Sequence, residues 1–418
     1  MPTTMRPRAS KGDILIIGGG ASGLAAACVL LQAGAKVTLL EARDRVGKKL
    51  LATGNGRCNL LNTGKPVYFG DAAFAASVLA DCPVEQVLDF FHRLGLTTVE
   101  EDSGLVYPAT YQAASVLEVL RTPLESNPNF HLVKGAEVVD LQHQNGGFVA
   151  RTAAGEQYSA TKVLAAAGGP AQPRLSGADS LLAPLVRLGH DLVPTRPVLT
   201  GLDTDPRDVR GLKGLRLPAL CTLCAGDGRP VCASAGEVIF SDTGISGICV
   251  MQVSRDAGQL LEAGDRPTLY LDLSPLLGLS PRLMERMPAL DPRRNRDKVL
   301  ALLKQRAGSL PDEQLLTGLL PRLLQERLRG LSLEKLADAL CAMPLRVKAV
   351  RGWDQAQVAA GGIDTAEVNP HTLESKLVPG LYLAGELLNV DGDCGGYNLL
   401  FAWATGLLAG RAMASEQG

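Results

Sequence analysis

Two side chains able to do chemistry are neighbours in the stretch Thr53–Asn59, whose sequence is TGNGRCN. The guanidinium of Arg57 is a planar set of donors that suits a phosphate, a carboxylate or a carbonyl oxygen. The thiol of Cys58 has two interpretations: a proton donor in a reduction, or a small packing residue. Gly54 and Gly56 allow positive φ and close approach of the backbone to a flat or charged ligand. The stretch is a candidate binding loop, with Arg57 and Cys58 as its candidate catalytic residues.

The first fifty residues contain the elements that would position such a ligand. Ile14–Ile17 is a β-branched run typical of a buried parallel strand. Gly18–Gly23 follows as G-x-G-x-x-G, which provides a tight turn, close approach to a pyrophosphate and close packing of helix on strand. A second strand is predicted at Lys36–Leu40, and Glu41 ends it, where an acid accepts ribose hydroxyls. The pattern predicts a dinucleotide site.

The residues after Glu41 favour FAD as the dinucleotide. An acid at this position argues against a 2′-phosphate, and so against NADP. A basic segment with Arg43, Arg45, Lys48 and Lys49 follows, then the glycine loop, where an NAD enzyme would continue with another βαβ unit. FAD, a longer and rigidly held cofactor, fits best. No second G-x-G-x-x-G occurs, so either NADH or NADPH binds transiently as electron donor or the electrons come from the substrate.

Two later segments are predicted to pass the same ligand. Lys162–Ala166 is a predicted strand that ends in the turn Ala167–Gly169. Near the C-terminus, a strand leads to Gly385, and a helix begins near Gly395 or Gly396. The N-terminus of that helix would be an electropositive end suited to the charge of a reduced flavin. Its small residues predict close packing on the sheet.

An inserted domain is predicted from about Thr195 to Ala349. The stretch LPALCTLCAGDGRPVCASAGEVIFSD alternates as antiparallel strands do. Helices are predicted within Pro281–Gly308, Pro311–Gly330 and Ser332–Met343. The prediction uses the helical period of each stretch and the proline and glycine residues that interrupt or end it. An Asn-Gly-Gly hairpin is predicted at Asn145–Gly147.

The stretches GGGASGLAAA, GKKLLATGNGRCNLLN and GLYLAGELLNVDGDCGGYNLLFAWATGLLAG resemble the bacterial HI0933-like flavoproteins, which include aminoacetone-oxidase-like and bile-acid-reductase-like members. GEVIFSDTGISG and AAGGIDTAEVNPHTLESK extend the resemblance to almost the whole chain. It implies an α/β fold: a Rossmann-like FAD-binding domain of the glutathione-reductase and fumarate-reductase type, with an inserted β-barrel plus helical subdomain. The resemblance also implies that Val138 lies against the adenine.

The predicted domains and FAD contacts follow from these motifs. The FAD-binding domain is discontinuous, at residues 1–194 and 350–418, and the inserted domain covers 195–349, with its helical part at about 277–342. FAD contacts are predicted at Gly18, Gly20, Ala21, Ser22, Gly23, Glu41, Ala42, Lys48, Lys49, Thr53, Gly54, Asn55, Gly56, Arg57, Asn59, Val138, Ala167, Gly168, Gly169, Gly385, Glu386, Gly395, Gly396, Tyr397, Asn398 and Leu399.

These observations predict an FAD-dependent oxidoreductase that moves hydride between flavin N5 and a small-molecule substrate. Reduction of an activated C=C bond is favoured, because the domain order is fumarate-reductase-like and because Arg57 and Cys58 are expected near the ring. The alternatives are an amine oxidase that uses oxygen, and a non-catalytic flavin-binding scaffold or sensor.

The charge distribution adds an RNA alternative. The chain has a net charge of −1, but residues Pro281–Gly352 hold 15 Lys and Arg against eight Asp and Glu. A basic cluster can follow a phosphate backbone, so a dihydrouridine-forming reductase acting on RNA stays open beside a solvated helix face. The cluster consists of Arg293, Arg294, Arg296, Lys298, Lys304 and Arg306.

Cysteine usage indicates a reduced, cytoplasmic protein, because the nine cysteines are odd in number and follow no disulfide framework. A Cys58–Cys394 redox pair stays open. Cys221 and Cys224 have C-x-x-C spacing, but no second pair follows, so packing is favoured over zinc and no metal is predicted. The leader lacks an apolar core, and no membrane segment or membrane partner is predicted.

Overall fold

The computed structural model describes residues 13–176, 180–279, 286–287 and 291–415. They form two compact units, each with its own hydrophobic core. The first unit consists of the chain up to Arg196 and from Val358 onward, and the second is Pro197–Gln357. The second unit extends past the predicted end at residue 349, since the backbone N–H of Arg351 donates to the carbonyl of Gly201 at 2.9 Å.

A five-stranded parallel sheet is the centre of the first unit. Parallel strands with both faces covered are near-continuous apolar runs, and Ile14–Ile17 is buried along its whole length. The predicted first and second strands are confirmed. The strand order is Leu381–Leu383, Lys162–Ala165, Asp13–Ile17, Lys36–Glu41, Phe130–Lys134.

The first and last helices of this unit pack closely through glycine. A Cβ at Gly406 would lie 2.4 Å from the carbonyl oxygen of Ser22, and one at Gly410 would lie 3.1 Å from that of Ala26. At these two glycines the close packing is with another helix, whereas the sequence predicted it with the sheet. The helices of the unit are Ala21–Gln32, Lys48–Ala52, Ala72–Asp81, Val84–Arg93, Ala113–Glu125, Leu182–Arg187 and Tyr397–Ser415.

Small sheets and short 3-10 turns complete the first unit. The hairpin at Asn145–Gly147 is confirmed, with φ of 53° at Asn145 and 73° at Gly146, as a type I′ turn requires. Its sheet has the order Gln157–Ala160, Gly147–Thr152, Val138–Gln144. The other sheets are Leu61–Asn62, Leu105–Pro108, Thr98–Glu100; Tyr68–Gly70 with Val390–Gly392; and Leu192–Val198 with Val358–Ile363. The 3-10 turns are Thr53–Gly56, Thr365–Glu367 and Gly385–Leu387.

A closed antiparallel barrel of six strands forms the second unit, which confirms the predicted barrel. Its order is Arg216–Cys224, Thr268–Asp272, Met343–Val350, Leu202–Thr204, Gly244–Ser246, Pro230–Phe240, and the last pairs with the first. Apolar side chains from the barrel and from its helices share one core. The helices are Pro206–Val209, Ile248–Glu262, Arg296–Ala307, Arg322–Leu328 and Leu333–Cys341, with 3-10 turns at Ser274–Leu277 and Asp312–Gln314.

The predicted helix within Pro281–Gly308 is confirmed only in its last part, Arg296–Ala307. Residues 280–285 and 288–290 lie outside the described residues. Between them, Arg286–Met287 is a short strand that pairs with Ala233 and Ser234 on the edge of the barrel, so the helical prediction is wrong at these two residues.

Candidate functional site

The glycines of the first turn have two different surroundings. A Cβ at Gly18 would lie 2.3 Å from the carbonyl oxygen of Ala166, and one at Gly23 would lie 2.0 Å from that of Gly18. A Cβ at Gly20 would meet no atom within 4 Å. Close packing therefore requires glycine at the first and third positions of the motif, whereas the second faces open space that a phosphate group can enter.

The helix that follows presents free donors to that space. Gly20 is the N-cap of the helix Ala21–Gln32, and no side chain caps the first turn. The first N–H groups of a helix have no partner within it, and together with the helix dipole they bind anions. An uncapped first turn beside an open glycine fits the pyrophosphate of FAD.

Glu41 ties the end of the second strand to this turn. Its Oε2 accepts from the backbone N–H of Gly19 at 2.9 Å, and its Oε1 accepts from that of Arg43 at 2.8 Å. Burial raises the pKa of Glu41, and these two N–H groups oppose the rise. The sequence predicted Glu41 as a ribose ligand and did not anticipate that it also fastens the glycine turn. Ala42 follows it at the edge of the strand.

Arg43 is a site residue that the sequence assigned only to a basic segment. Its Nε donates to the carbonyl of Ser176 at 2.7 Å, and its Nη2 donates to that of Pro173 at 2.5 Å. The guanidinium holds the segment after the Ala167–Gly169 turn beside the residues that follow Glu41.

Val138, the predicted adenine contact, begins its strand with 2% of its surface exposed.

Two predicted FAD contacts pair with each other. The Nζ of Lys49 lies 2.6 Å from Oε2 of Glu386, and Oε1 of Glu386 accepts from the backbone N–H of Ala359 at 3.0 Å. A Cβ at Gly169 would lie 3.1 Å from Glu386, so this residue reaches the same place. Lys48 pairs instead with Asp44, one helical turn away.

The TGNGRCN loop is a tight, left-handed stretch. Gly54, Asn55, Gly56 and Cys58 all have positive φ, and the hydroxyl of Thr53 donates to the carbonyl of Leu50 at 2.6 Å. Left-handed backbone at Asn55 and Cys58 carries strain.

The side-chain oxygen of Asn59, at the end of the loop, is buried and has no hydrogen-bond partner among the residues that the structure describes. A buried acceptor without a partner is costly unless a ligand supplies a donor. This orphaned atom fits a bound cofactor.

Cys58 lies in the core. Its side chain has no exposed surface, and burial raises the pKa of its thiol to about 12. Cys394 is half-buried, and burial raises its pKa to about 12 as well. Both are free thiols. A thiol with no accessible surface favours the packing interpretation of Cys58 over the catalytic one.

Arg57 is exposed and rests on two tyrosine rings. Its guanidinium carbon lies 4.8 Å from the ring centroid of Tyr107 and 4.6 Å from that of Tyr111, and Nη2 lies 3.5 Å from Oε1 of Glu101. The sequence did not anticipate these partners. The only signal was the pair of tyrosines at the end of a short strand, in VYPATYQ.

The C-terminal helix begins at Tyr397, directly after Gly395 and Gly396, as predicted. A Cβ at Gly396 would lie 2.7 Å from the carbonyl carbon of Leu61. The amide of Asn398 bonds both the N–H and the carbonyl of Gly392, at 2.8 and 2.7 Å.

Asn398 therefore closes the turn before the helix, and its contact with FAD stays a prediction. The backbone N–H of Gly385 donates to the hydroxyl of Thr405 at 3.0 Å, and Leu399 is half-buried.

Four cysteines of the second unit are buried: Cys221, Cys224 and Cys232 on barrel strands, and Cys249 on the helix Ile248–Glu262. The Sγ atoms of Cys221 and Cys249 lie 3.2 Å apart. Within the described ranges, no three His, Cys, Asp or Glu side chains are grouped so that they could hold a metal ion.

Two members of the basic cluster have partners within the protein. Arg296 donates to Asp338 at 2.6 Å, and Arg306 donates to the carbonyls of Leu315 and Thr317. Arg293, Arg294, Lys298 and Lys304 are exposed. In the part of the chain that the structure describes, no helix is both long and apolar enough to cross a membrane.

The matches to known proteins extend over nearly the whole chain, including all the residues of the candidate site. A family model, the HI0933-like protein Rossmann domain, matches residues 12–412. The 3-dehydro-bile acid delta(4,6)-reductase of Clostridium scindens is 39% identical over 417 residues, which cover 96% of this chain and 98% of that one. The ribosomal RNA dihydrouridine synthase of Escherichia coli is 26% identical over 414 residues, 94% of this chain and 96% of that one.

Among solved structures, the open conformation of a flavocytochrome c3 fumarate reductase is similar with a TM-score of 0.48 and 15% identity, over 97% of this chain and 78% of that one.

Proposed function

Because the chain belongs to the HI0933-like family of FAD-dependent oxidoreductases, we propose that it reduces a carbon–carbon double bond conjugated to a carbonyl group. One observation carries the proposal: 39% identity, along nearly the full length of both chains, to a reductase whose name specifies the delta(4,6) positions of a 3-dehydro-bile acid. In such a compound the 3-oxo group is conjugated with the double bonds. The substrate class that we propose is a ring ketone with conjugated C=C bonds.

FAD would be held by the residues whose surroundings fit it. The open space at Gly20 and the uncapped helix would hold the pyrophosphate, and Glu41 would bind the ribose. The side-chain oxygen of Asn59 would accept a hydrogen bond from a donor group of the cofactor. Val138 would lie against the adenine. When bound, FAD supplies two-electron redox chemistry. The electropositive start of the C-terminal helix at Tyr397 would favour the negative charge of the reduced cofactor.

The remaining predicted contacts belong to the same proposal. They are Gly18, Ala21, Ser22, Gly23, Ala42, Lys48, Lys49, Thr53, Gly54, Asn55, Gly56, Arg57, Ala167, Gly168, Gly169, Gly385, Glu386, Gly395, Gly396, Tyr397, Asn398 and Leu399.

Arg57 would bind and orient the substrate. Its half-exposed guanidinium has donors for a carbonyl oxygen. Hydrogen bonds to that oxygen withdraw electron density from the conjugated double bond, and they stabilise the negative charge that develops on the oxygen when the β-carbon is reduced. A hydride equivalent at the β-carbon and a proton at the α-carbon complete the reduction, and a reduced nicotinamide is the overall electron donor that we propose.

A second candidate function, reduction of uracil in RNA, has its own support. The Escherichia coli relative makes dihydrouridine in ribosomal RNA, and the C=C bond of uracil is also conjugated to a carbonyl. Lys298 and Lys304 are exposed on the basic helix, where they would be available to phosphates. We rank RNA second to a ring ketone, because this relative is less similar to the chain.

The test is anaerobic turnover with purified, FAD-loaded protein. NADPH or NADH is added first and flavin absorbance is recorded; then a 3-oxo-4,6-diene bile acid is added. We expect the oxidised flavin spectrum to return. We also expect mass spectrometry to show that the product has gained hydrogen relative to the bile acid that was added.

Three outcomes would replace the proposal. Return of flavin colour with uridine-containing RNA instead of the diene selects the second candidate function. Reduction by an amine, followed by rapid reoxidation in air, selects an amine oxidase. A flavin that no donor reduces selects a scaffold or sensor.

A further inference from the structure

We propose that Tyr107 and Tyr111 hold the guanidinium of Arg57 as a flat platform that selects planar, conjugated ring ketones over their saturated counterparts. The inference rests on the proposed function and deepens it, because it assigns the specificity for an unsaturated substrate to three named side chains. Arg57 is the residue that would touch the substrate, and the two tyrosines are positioning residues.

The three side chains form a triangle. The ring centroids of Tyr107 and Tyr111 are 5.4 Å apart, and the guanidinium carbon of Arg57 is 4.8 and 4.6 Å from them. A guanidinium sandwiched between two rings would hold their centroids much further apart. Both rings therefore lie on one side of the guanidinium carbon, and the side chain of Arg57 is 50% exposed to solvent.

The backbone fixes the platform to the binding loop. Tyr107 lies in the strand Leu105–Pro108, and the backbone N–H of Leu60, three residues after Arg57, donates to the carbonyl of Val106 at 2.7 Å. The loop that carries the guanidinium and the strand that carries the first ring are thus directly hydrogen-bonded.

Tyr111 is held by a turn. Its backbone N–H donates to the carbonyl of Pro108 at 2.7 Å, and its φ is 51°. A left-handed conformation at an aromatic residue is uncommon and is kept only where its surroundings determine it. The turn brings the ring of Tyr111 back beside the ring of Tyr107. An extended chain would place the two rings far apart.

The charge of Arg57 remains available to a ligand. Glu101 is its only ion-pair partner among the described residues, at 3.5 Å, and both side chains are well exposed. Such a pair contributes little and exchanges readily with a better acceptor. Burial raises the pKa of Tyr107, and the nearby Glu101 raises it further, so the ring stays a neutral phenol.

A flat cation with one open face favours a planar conjugated ligand. The π-system of the ligand can stack on the guanidinium face, while N–H groups at the edge of the plane donate to a carbonyl oxygen. Reduction puckers the ring, so the product loses the stacking contact but keeps the carbonyl. The platform would therefore bind the substrate more tightly than the saturated product.

The experiment measures binding without turnover. The oxidised, FAD-loaded enzyme is titrated by calorimetry, without reductant, with a 3-oxo-4,6-diene bile acid and with its saturated 3-oxo counterpart. We expect wild type to prefer the diene by about 10-fold, Tyr111→Leu to lose most of this preference and Tyr111→Phe to keep it, because stacking needs the ring and not the hydroxyl. Tyr158→Leu, on the separate three-stranded sheet, is the matched control and should retain the preference.

Kinetics provide a second readout. Tyr111→Leu should raise KM for the diene several-fold and leave kcat and FAD content near wild type, since the ring acts on binding. If Tyr111→Leu binds and reduces the diene as wild type does, the inference is overturned while the proposed function survives. If wild type binds neither bile acid, the substrate class fails; and if it binds a uridine oligonucleotide instead, the platform serves an RNA base and the inference is overturned in favour of RNA.

Discussion

The carboxylate of Glu41 accepts a hydrogen bond from the backbone N–H of Gly19, at 2.9 Å, so the last residue of the second strand fastens the turn that follows the first. The same carboxylate accepts from the N–H of Arg43. One lone pair remains on each oxygen for other donors. Glu41 thus shapes the site as well as offering an acceptor to a ribose.

Glu41→Gln should weaken both the turn and FAD binding. The amide replaces one acceptor oxygen with a donor, which then faces a backbone N–H and leaves it without a partner. We expect a loss of about 1–3 kcal/mol of unfolding free energy and a lower flavin content after purification. Glu137→Gln, an exposed glutamate beside the three-stranded sheet, is the control. Unchanged stability and full flavin content in Glu41→Gln would contradict this account.

Gly20→Ala should separate cofactor binding from folding. Gly20 has a φ of −86° and open space around its missing Cβ, so alanine fits the folded chain. The added methyl group would occupy space that the pyrophosphate needs, and we expect FAD affinity to fall by at least about 10-fold with the melting temperature of the apoprotein unchanged. Gly352→Ala, also in open space, should change neither quantity.

Gly23→Ala should fail in a different way. Its Cβ would lie 2.0 Å from the carbonyl oxygen of Gly18, and a backbone atom cannot move aside at little cost. We expect poor soluble expression or a much lower melting temperature. A stable, flavin-free Gly23→Ala protein would show that the clash relaxes and that the glycine serves only the ligand.

Cys58→Ala tests whether the thiol is catalytic. The side chain is fully buried, so truncation should cost about 1–2 kcal/mol of unfolding free energy. We expect kcat for reduction of the conjugated ketone to stay near wild type, as measured by anaerobic reoxidation of the flavin. A loss of kcat by orders of magnitude at normal FAD content would restore Cys58 as a proton donor.

The residues of the site that the sequence could predict are those set by local order along the chain. The glycine turn, the helix after it and Glu41 lie within one strand–helix–strand unit, where spacing determines geometry. The hairpin at Asn145–Gly147 has the same origin, since the turn type is encoded by two residues.

The side-chain pairs across the site could not be predicted in this way. Lys49 and Glu386 are 337 positions apart, and no periodicity links them. Arg57 meets Tyr107 and Tyr111 only because a short strand returns beside the loop. The burial of Cys58 likewise depends on tertiary packing, so its place in the core could not be predicted from its position beside Arg57 in the sequence.

A buried carboxylate in the barrel unit predicts the acid sensitivity of the protein. Burial alone would raise the pKa of Asp208, but hydrogen bonds from the side chain and backbone N–H of Arg346 outweigh it, so the pKa lies below its usual value of 3.8. A lowered folded-state pKa stabilises the protein above the unfolded pKa, and this stability is lost as the pH falls through the folded-state value. Arg346→Met removes the side-chain donors and should lower the melting temperature at pH 7.

The pH dependence distinguishes this effect from a simple loss of packing. The difference in melting temperature between wild type and Arg346→Met should be largest at neutral pH and should shrink below about pH 4, because protonation of Asp208 removes the attraction in wild type too. Arg216→Met breaks an exposed pair with Glu237, at 3.8 Å, and should have little effect at any pH. A difference for Arg346→Met that stays constant from pH 7 to pH 3 would mean that Arg346 stabilises the barrel through its aliphatic contacts and not through Asp208.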